Sequence, residues 1–182
     1  ALVIANIHNT SKQQAHLQNV KSAIPSATKP KTTTSSTSSS SDEELILNPI
    51  IDLSGWQLPQ DIDYDVLSNH ISGAIVRVFG GSQISKDSNA ASSNGIDKSF
   101  KTHIKELKKR DVPVAVYSYA QGTSVKEMKE EARIFYKNAS PYKPTYYWID
   151  VEEETMSNME EGVQAFLAEL KRLGAEKVGL YI

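Results

Sequence analysis

The chain has no cysteine among its 182 residues, which excludes disulfides and thiolate metal sites while leaving the compartment to be argued from other features. It has no apolar run approaching the ~20 residues that a membrane helix needs. The opening Ala1-Leu2-Val3-Ile4-Ala5 reads either as the tail of a removed signal or anchor segment or merely as the edge of the segment. Basic charge is not in excess: 20 Lys and Arg stand against 22 Asp and Glu, for a net charge of -2. No basic stripe is therefore available to grip phosphates, and a nucleic-acid partner is not expected. Glycine is sparse, and no Gly-rich loop leads into a helix as a phosphate cradle would. No serine sits in a G-x-S-x-G elbow. The four histidines, His8, His16, His70 and His103, show no paired ligand spacing, so neither a metal nor a cofactor is expected. His70 and His103 fall in helix candidates and read as surface or rim residues.

What is present is ordinary for a globular domain, 39% hydrophobic and 23% charged, preceded by a biased segment. From Ser11 to Ser41 large apolar residues are few, and the stretch ends in a Ser/Thr tract that burial cannot repay for ordering. Residues 1–45 are thus read as an N-terminal segment and disordered linker, and residues 46–182 as the folded domain. Within that domain short apolar runs alternate with amphipathic stretches, the mark of βα units. Strands are expected at 49–53, 73–79, 112–119, 146–151 and 177–182. Between them Phe100, Ile104 and Leu107 recur at helical spacing, as do Val125, Met128, Ala132 and Phe135, and then Val163, Phe166, Leu167 and Leu170. Ser124 with Glu127, and Ser157 with Glu160, have the capping-box pattern, and Gly174 stands where the last helix should end. The fold class is α/β with parallel strands. A closed eight-stranded barrel takes ~250 residues, about twice the length left after the linker, so the chain is expected to be a fragment cut after its fifth strand; a complete open sheet is the alternative.

In parallel βα folds the reacting groups gather at the carboxyl ends of strands. The first strand candidate ends Ile51-Asp52-Leu53-Ser54-Gly55-Trp56, and the fourth runs Trp148-Ile149-Asp150-Val151-Glu152-Glu153-Glu154. Alternation along a strand puts Asp150 and Glu152 on one face. Paired carboxyls raise each other's pKa, and the one in less polar surroundings keeps its proton near neutrality, as a general acid for glycosidic cleavage must. The third strand ends Tyr117-Ser118-Tyr119, whose phenols share a face and either meet sugar or simply pack with their hydroxyls at the rim. Trp56 reads as a sugar-stacking platform or as a plug under the first loop. Arg77, inside an apolar strand, needs a partner, one of these carboxylates being the first candidate; a structural ion pair is the preferred reading, with sugar contact the functional one. Asp52 before Ser54-Gly55 also reads as a turn cap, and Glu152-Glu153-Glu154 as the solvated start of a loop.

Taken together these segments resemble glycoside hydrolase family 25 lysozymes. The resemblance is carried by Pro49-Ile50-Ile51-Asp52-Leu53-Ser54-Gly55-Trp56-Gln57, Ile62-Asp63-Tyr64, Ile75-Val76-Arg77, Val112 to Ala120 and Trp148-Ile149-Asp150-Val151-Glu152, in the family's order. It implies an irregular (β/α)5β3 TIM-like barrel and hydrolysis of the β-1,4 bond between N-acetylmuramic acid and N-acetylglucosamine. It further implies Glu152 as general acid/base, Asp150 and Asp52 in the same pocket, and Trp56, Tyr117, Tyr119 and Arg77 toward substrate. The implied partner is peptidoglycan glycan strands, met by a monomer that is extracellular or wall-associated, secreted or held by an upstream anchor. Two departures stand out. The family's third strand usually ends Tyr-His-Phe where this one reads Tyr117-Ser118-Tyr119, and the family's late-strand aspartate has no counterpart before residue 182, so the fragment is expected to lack a group the parent enzyme uses. A non-catalytic wall-binding barrel and, behind it, a chitinase-like glycosidase are the competing readings.

Overall fold

The computed structural model describes residues 4–5, 48–81 and 90–182. The Ser/Thr tract, His8 and His16 lie outside the described residues. The elements run β1 (Ile4–Ala5), β2 (Ile50–Leu53), α1 (Tyr64–Ser68), β3 (Gly73–Gly80), α2 (Phe100–Lys108), β4 (Val114–Tyr119), α3 (Val125–Ala139), β5 (Tyr147–Asp150), α4 (Met159–Leu173) and β6 (Val178–Tyr181). All five expected strands form within two residues of their expected bounds. The opening pair Ile4–Ala5, which the sequence presents only as the end of a leader or of the segment, instead pairs in parallel with β2.

Every pairing is parallel and the strand order is the sequence order. Parallel crossovers are right-handed, so a sheet that never reverses its order receives its helices on one face and leaves the other free. Alternation divides the residues accordingly. Ile51, Leu53, Ala74, Val76, Val78, Val114, Val116, Tyr147 and Ile149 join Phe100, Ile104, Leu107, Met128, Ala132, Phe135, Phe166 and Leu170 from the helices in one buried core. Asp52, Ile75, Arg77, Tyr117, Tyr119, Trp148, Asp150 and Tyr181 have the opposite parity and share the other face.

The helix ends follow the sequence with one shift. Ser124 caps α3 by accepting from Glu127 N, while the Glu127 carboxylate reaches Thr123 N and Oγ1. At α4 the cap is Asn158, accepting from Glu161 N, one residue past the expected Ser157 and Glu160. Asn serves as well as Ser at this position, and its Oδ1 reaches the right amide. Gly174 closes α4 at φ 109°. Glu169 on α4 binds Arg133 of α3 and Arg172 of its own helix, tying the pair together above the apolar contact.

Candidate active site

The free face of the sheet carries a pocket lined by Asp52, Ile75, Tyr117, Trp148, Asp150, Glu152 and Tyr181, with about 450 Å³ of empty space, part of it open to solvent. Residues from five strands and the segment just after β5 build it, and register explains the convergence. Asp52 is opposite Ile75 on β3, Tyr117 opposite Trp148, and Asp150 is flanked by Tyr119 on one side and Tyr181 on the other. All three carboxylates predicted from the strand ends thus reach one cavity.

Asp150 is only 8% exposed, and its Oδ1 has no hydrogen-bond partner among the described residues. Burial, followed by the charges of Glu152 and Asp52, pushes its pKa up to about 7, with Arg77 opposing. It is the carboxyl that holds a proton close to neutrality. Glu152, two residues on and on the same side, is exposed at the mouth. Tyr117 donates to Asp52 Oδ2 across a long 3.4 Å, and burial with the Asp52 charge raises its phenol well above the ordinary value. Tyr119 stands outside the pocket lining and donates to Glu153 Oε1 at 2.8 Å; burial and that bond raise its pKa. Ser118 points to the helix-covered face and is fully buried.

The sequence reading gives Trp148 a place in the motif but no role, and none to Ile75 or Tyr181; the parity that selects Asp150 selects Trp148 as well. Its indole lies over Gly179, where an added Cβ would stand 2.4 Å from Cε3 and Cζ3. On its outer side Trp148 stacks with Tyr146 at 5.8 Å. The pocket therefore combines an acidic rim with an apolar, aromatic wall, a lining suited to the polar edges and apolar faces of a sugar. Trp56 is 45% exposed on the loop after β2, so it is no core plug, and it is not among the lining residues.

The buried partner of Arg77 is a carboxylate outside the pocket lining. The Arg77 Nε donates to Asp97 Oδ2 at 3.0 Å, both side chains being almost wholly buried. Asp97 carries no signal in the sequence because it lies in the loop that follows β3 and returns to it through a Phe79 to Ile96 bridge. The same carboxylate accepts from Gly55 N at 2.6 Å and from Ser99 N and Phe100 N, fastening the loop after β2 and the start of α2 to Arg77. His103 also differs from expectation. It is fully buried, with Nδ1 2.7 Å from Tyr64 Oη and Nε2 3.0 Å from Ser54 O, because the loop after β2 and helix α1 need a polar tie through an otherwise apolar layer. His70 is exposed as expected. Among the described residues no cluster of three His, Cys, Asp or Glu could hold a metal, and no helix is long and apolar enough to cross a membrane.

The sequence matches the family model described as glycosyl hydrolases family 25 over residues 51–182. Among solved structures, the chain is similar to GHIP, described as a glycosyl hydrolase 25 of Streptococcus pneumoniae and a virulence factor participating in host cell invasion. The two are 59% identical with a TM-score of 0.72, over 75% of this chain and 59% of that one. The catalytic domain of endolysin ply40 from bacteriophage P40 of Listeria monocytogenes is 24% identical with a TM-score of 0.61, over 72% of this chain and 61% of that one. The modular autolysin LytC of Streptococcus pneumoniae, in complex with a synthetic peptidoglycan ligand, is 20% identical with a TM-score of 0.56, over 72% of this chain and 31% of that one. The last two likenesses bear on fold alone. A search of curated proteins finds no match. The chain spans less than two thirds of each of these three structures.

Proposed function

Since the chain belongs to glycosyl hydrolase family 25, we propose that its acidic pocket serves a peptidoglycan hydrolase cleaving the β-1,4 bond between N-acetylmuramic acid and N-acetylglucosamine. The observation that carries this reading is the convergence of Asp52, Asp150 and Glu152 on one pocket, with Asp150 pushed up to about 7. Near neutrality Asp150 then holds a proton beside Glu152, which gives the pocket a proton to spend on acid catalysis and a carboxyl to take one back.

In the proposed reaction the proton held at Asp150 passes through Glu152, at the open side of the pocket, to the glycosidic oxygen as the C–O bond breaks. The substrate's own acetamido oxygen closes on the anomeric carbon, a substrate-assisted route known among glycosidases. Asp52 and Asp150 are the two carboxyls placed to accept the acetamido N–H. Water then opens the cyclic intermediate and surrenders its proton to Glu152, restoring the acid. Tyr117 braces Asp52, Tyr119 braces the loop through Glu153, Trp56 offers an exposed ring to a neighbouring sugar, and Arg77 acts through its field on Asp150 and Tyr117.

The proposal includes a finer fold, the irregular (β/α)5β3 barrel with the free sheet face turned inward. It also includes residues 46–182, with the strand Ile4–Ala5, as part of the catalytic domain, the segment between them as a linker, and a monomer working outside the cell on the wall. The test is Glu152→Gln in the full-length protein carrying this chain, assayed by reducing-end release from purified peptidoglycan. Loss of at least ~100-fold in turnover with unchanged melting is expected; near-normal turnover would sink the assignment.

A further inference from the structure

Outside the pocket, Glu131 is a buried ionisable side chain that neither this chemistry nor the polar ties described above use. Glu131, on the inner face of α3, is 8% exposed, and its two carboxylate oxygens stand 3.3 and 3.2 Å from the Gln121 backbone nitrogen, which donates to them, with the Gly122 amide near enough to favour the charged form. A carboxylate on a helix interior is costly to bury, and here its compensation comes from the loop that leaves β4. Burial holds its pKa up near 7, against the pull of those two amides.

That loop is joined to the catalytic strand end on both sides. Ala120 N donates to the Asp150 carbonyl at 2.8 Å, one residue before the amide that Glu131 holds. Thr155 Oγ1, three residues past Glu152, donates to the Gly122 carbonyl at 2.6 Å. Gly122 itself is seated so closely on Met128 that an added Cβ would lie 2.9 Å from both its N and its Sδ, so the loop has little room to settle elsewhere. The Glu131 carboxylate is thus the inner post of a short chain of bonds running through residues 120–122 to the Asp150 carbonyl and to Thr155, which bracket Glu152.

We propose that Glu131 is a positioning residue for the catalytic carboxylates: by fixing the loop after β4 it sets the backbone that carries Asp150 and Glu152. It touches no substrate. The inference rests on the proposed hydrolase reading for its kinetic consequence, while its structural consequence is independent of any activity. Misplacing reacting groups by an ångström costs as much as ~100-fold in rate, so loss of this post falls on turnover rather than on affinity.

The test uses the full-length protein with Glu131→Leu, which keeps the side chain's bulk and removes both acceptors, and Glu131→Gln, which keeps one acceptor oxygen. Hydrogen exchange is read at residues 120–123 and 151–156 against the helix α4 amides, and kcat and KM are read on peptidoglycan. The expected result is faster exchange in those two loops with α4 unchanged, kcat down at least ~10-fold in the Leu variant with KM within about 2-fold, and partial recovery in the Gln variant. Unchanged loop exchange in folded variants overturns the proposal, as does acceleration spread evenly over the domain. A wild-type protein that shows no hydrolysis defeats the hydrolase reading alone, and the exchange comparison still decides the role of Glu131. Should the Leu variant fail to fold, the Gln variant carries the same comparison, and normal exchange with normal kcat in it overturns the proposal equally.

Discussion

Asp97→Asn removes one charge from the interior without changing the shape of the side chain, and the structure fixes what that should cost. The carboxylate is 0% exposed and faces four donors: Gly55 N, Arg77 Nε, Ser99 N and Phe100 N. An asparagine turns an NH2 group toward one pair of those donors and leaves the Arg77 guanidinium buried without its counter-charge. Removing one partner of a buried ion pair costs about 3–5 kcal/mol, a large part of the roughly 5–15 kcal/mol that stabilises a typical domain. With a urea dependence of about 1–3 kcal/mol/M, the unfolding midpoint of the full-length protein should fall by roughly 1–5 M. Denaturation followed by circular dichroism measures it. The double variant Arg77→Met with Asp97→Asn should lose less than the sum of the single changes, because the stranded cation is gone. A midpoint within about 0.3 M of wild type, or strict additivity in the double variant, would refute the view of Asp97 as the anchor of Arg77.

Asp150 has a folded pKa raised to about 7 from 3.8, so its proton is held more tightly in the folded state; the associated stability is fully present below about pH 4 and is lost as pH rises through 7. Asp150→Asn should therefore raise the melting temperature at pH 8 by a few degrees, with the gain vanishing toward pH 4, as a pair of melting series would show. Gly179→Ala places a Cβ 2.4 Å from the Trp148 ring, which must tilt away from β6 and into the pocket. A loss of about 1–3 kcal/mol is expected, with a shifted tryptophan emission in a Trp56→Phe background that leaves Trp148 as the reporter among the chain's 2 tryptophans.

Period and parity made much of this molecule legible before any coordinates. The apolar runs ending in Asp52 and Asp150 sit where they must for a parallel sheet, and alternation alone brings Asp150, Glu152, Tyr117 and Tyr119 to the face away from the helices. Residues whose role depends on tertiary return of a loop were not legible. Asp97 is 20 positions from Arg77, and only the backward fold of the loop after β3 makes them partners. His103 looks like a polar rim residue on its helix, yet Tyr64 and Ser54 arrive from distant turns to satisfy both of its nitrogens. Glu131 is the same case: a charged residue in an amphipathic helix, buried because a loop supplies amides to it. The short strand Ile4–Ala5 escapes a reading by period for want of length, since two residues carry none.

The most direct test of the proposed activity is the identity of the ends that the full-length protein creates. Purified peptidoglycan is digested, reduced with borohydride and separated, and the reduced sugars are identified by mass spectrometry. The account predicts muramitol ends, formed by wild type and absent with Glu152→Gln. Glucosaminitol ends, or binding to the wall with no new ends at all from a folded protein, would contradict it.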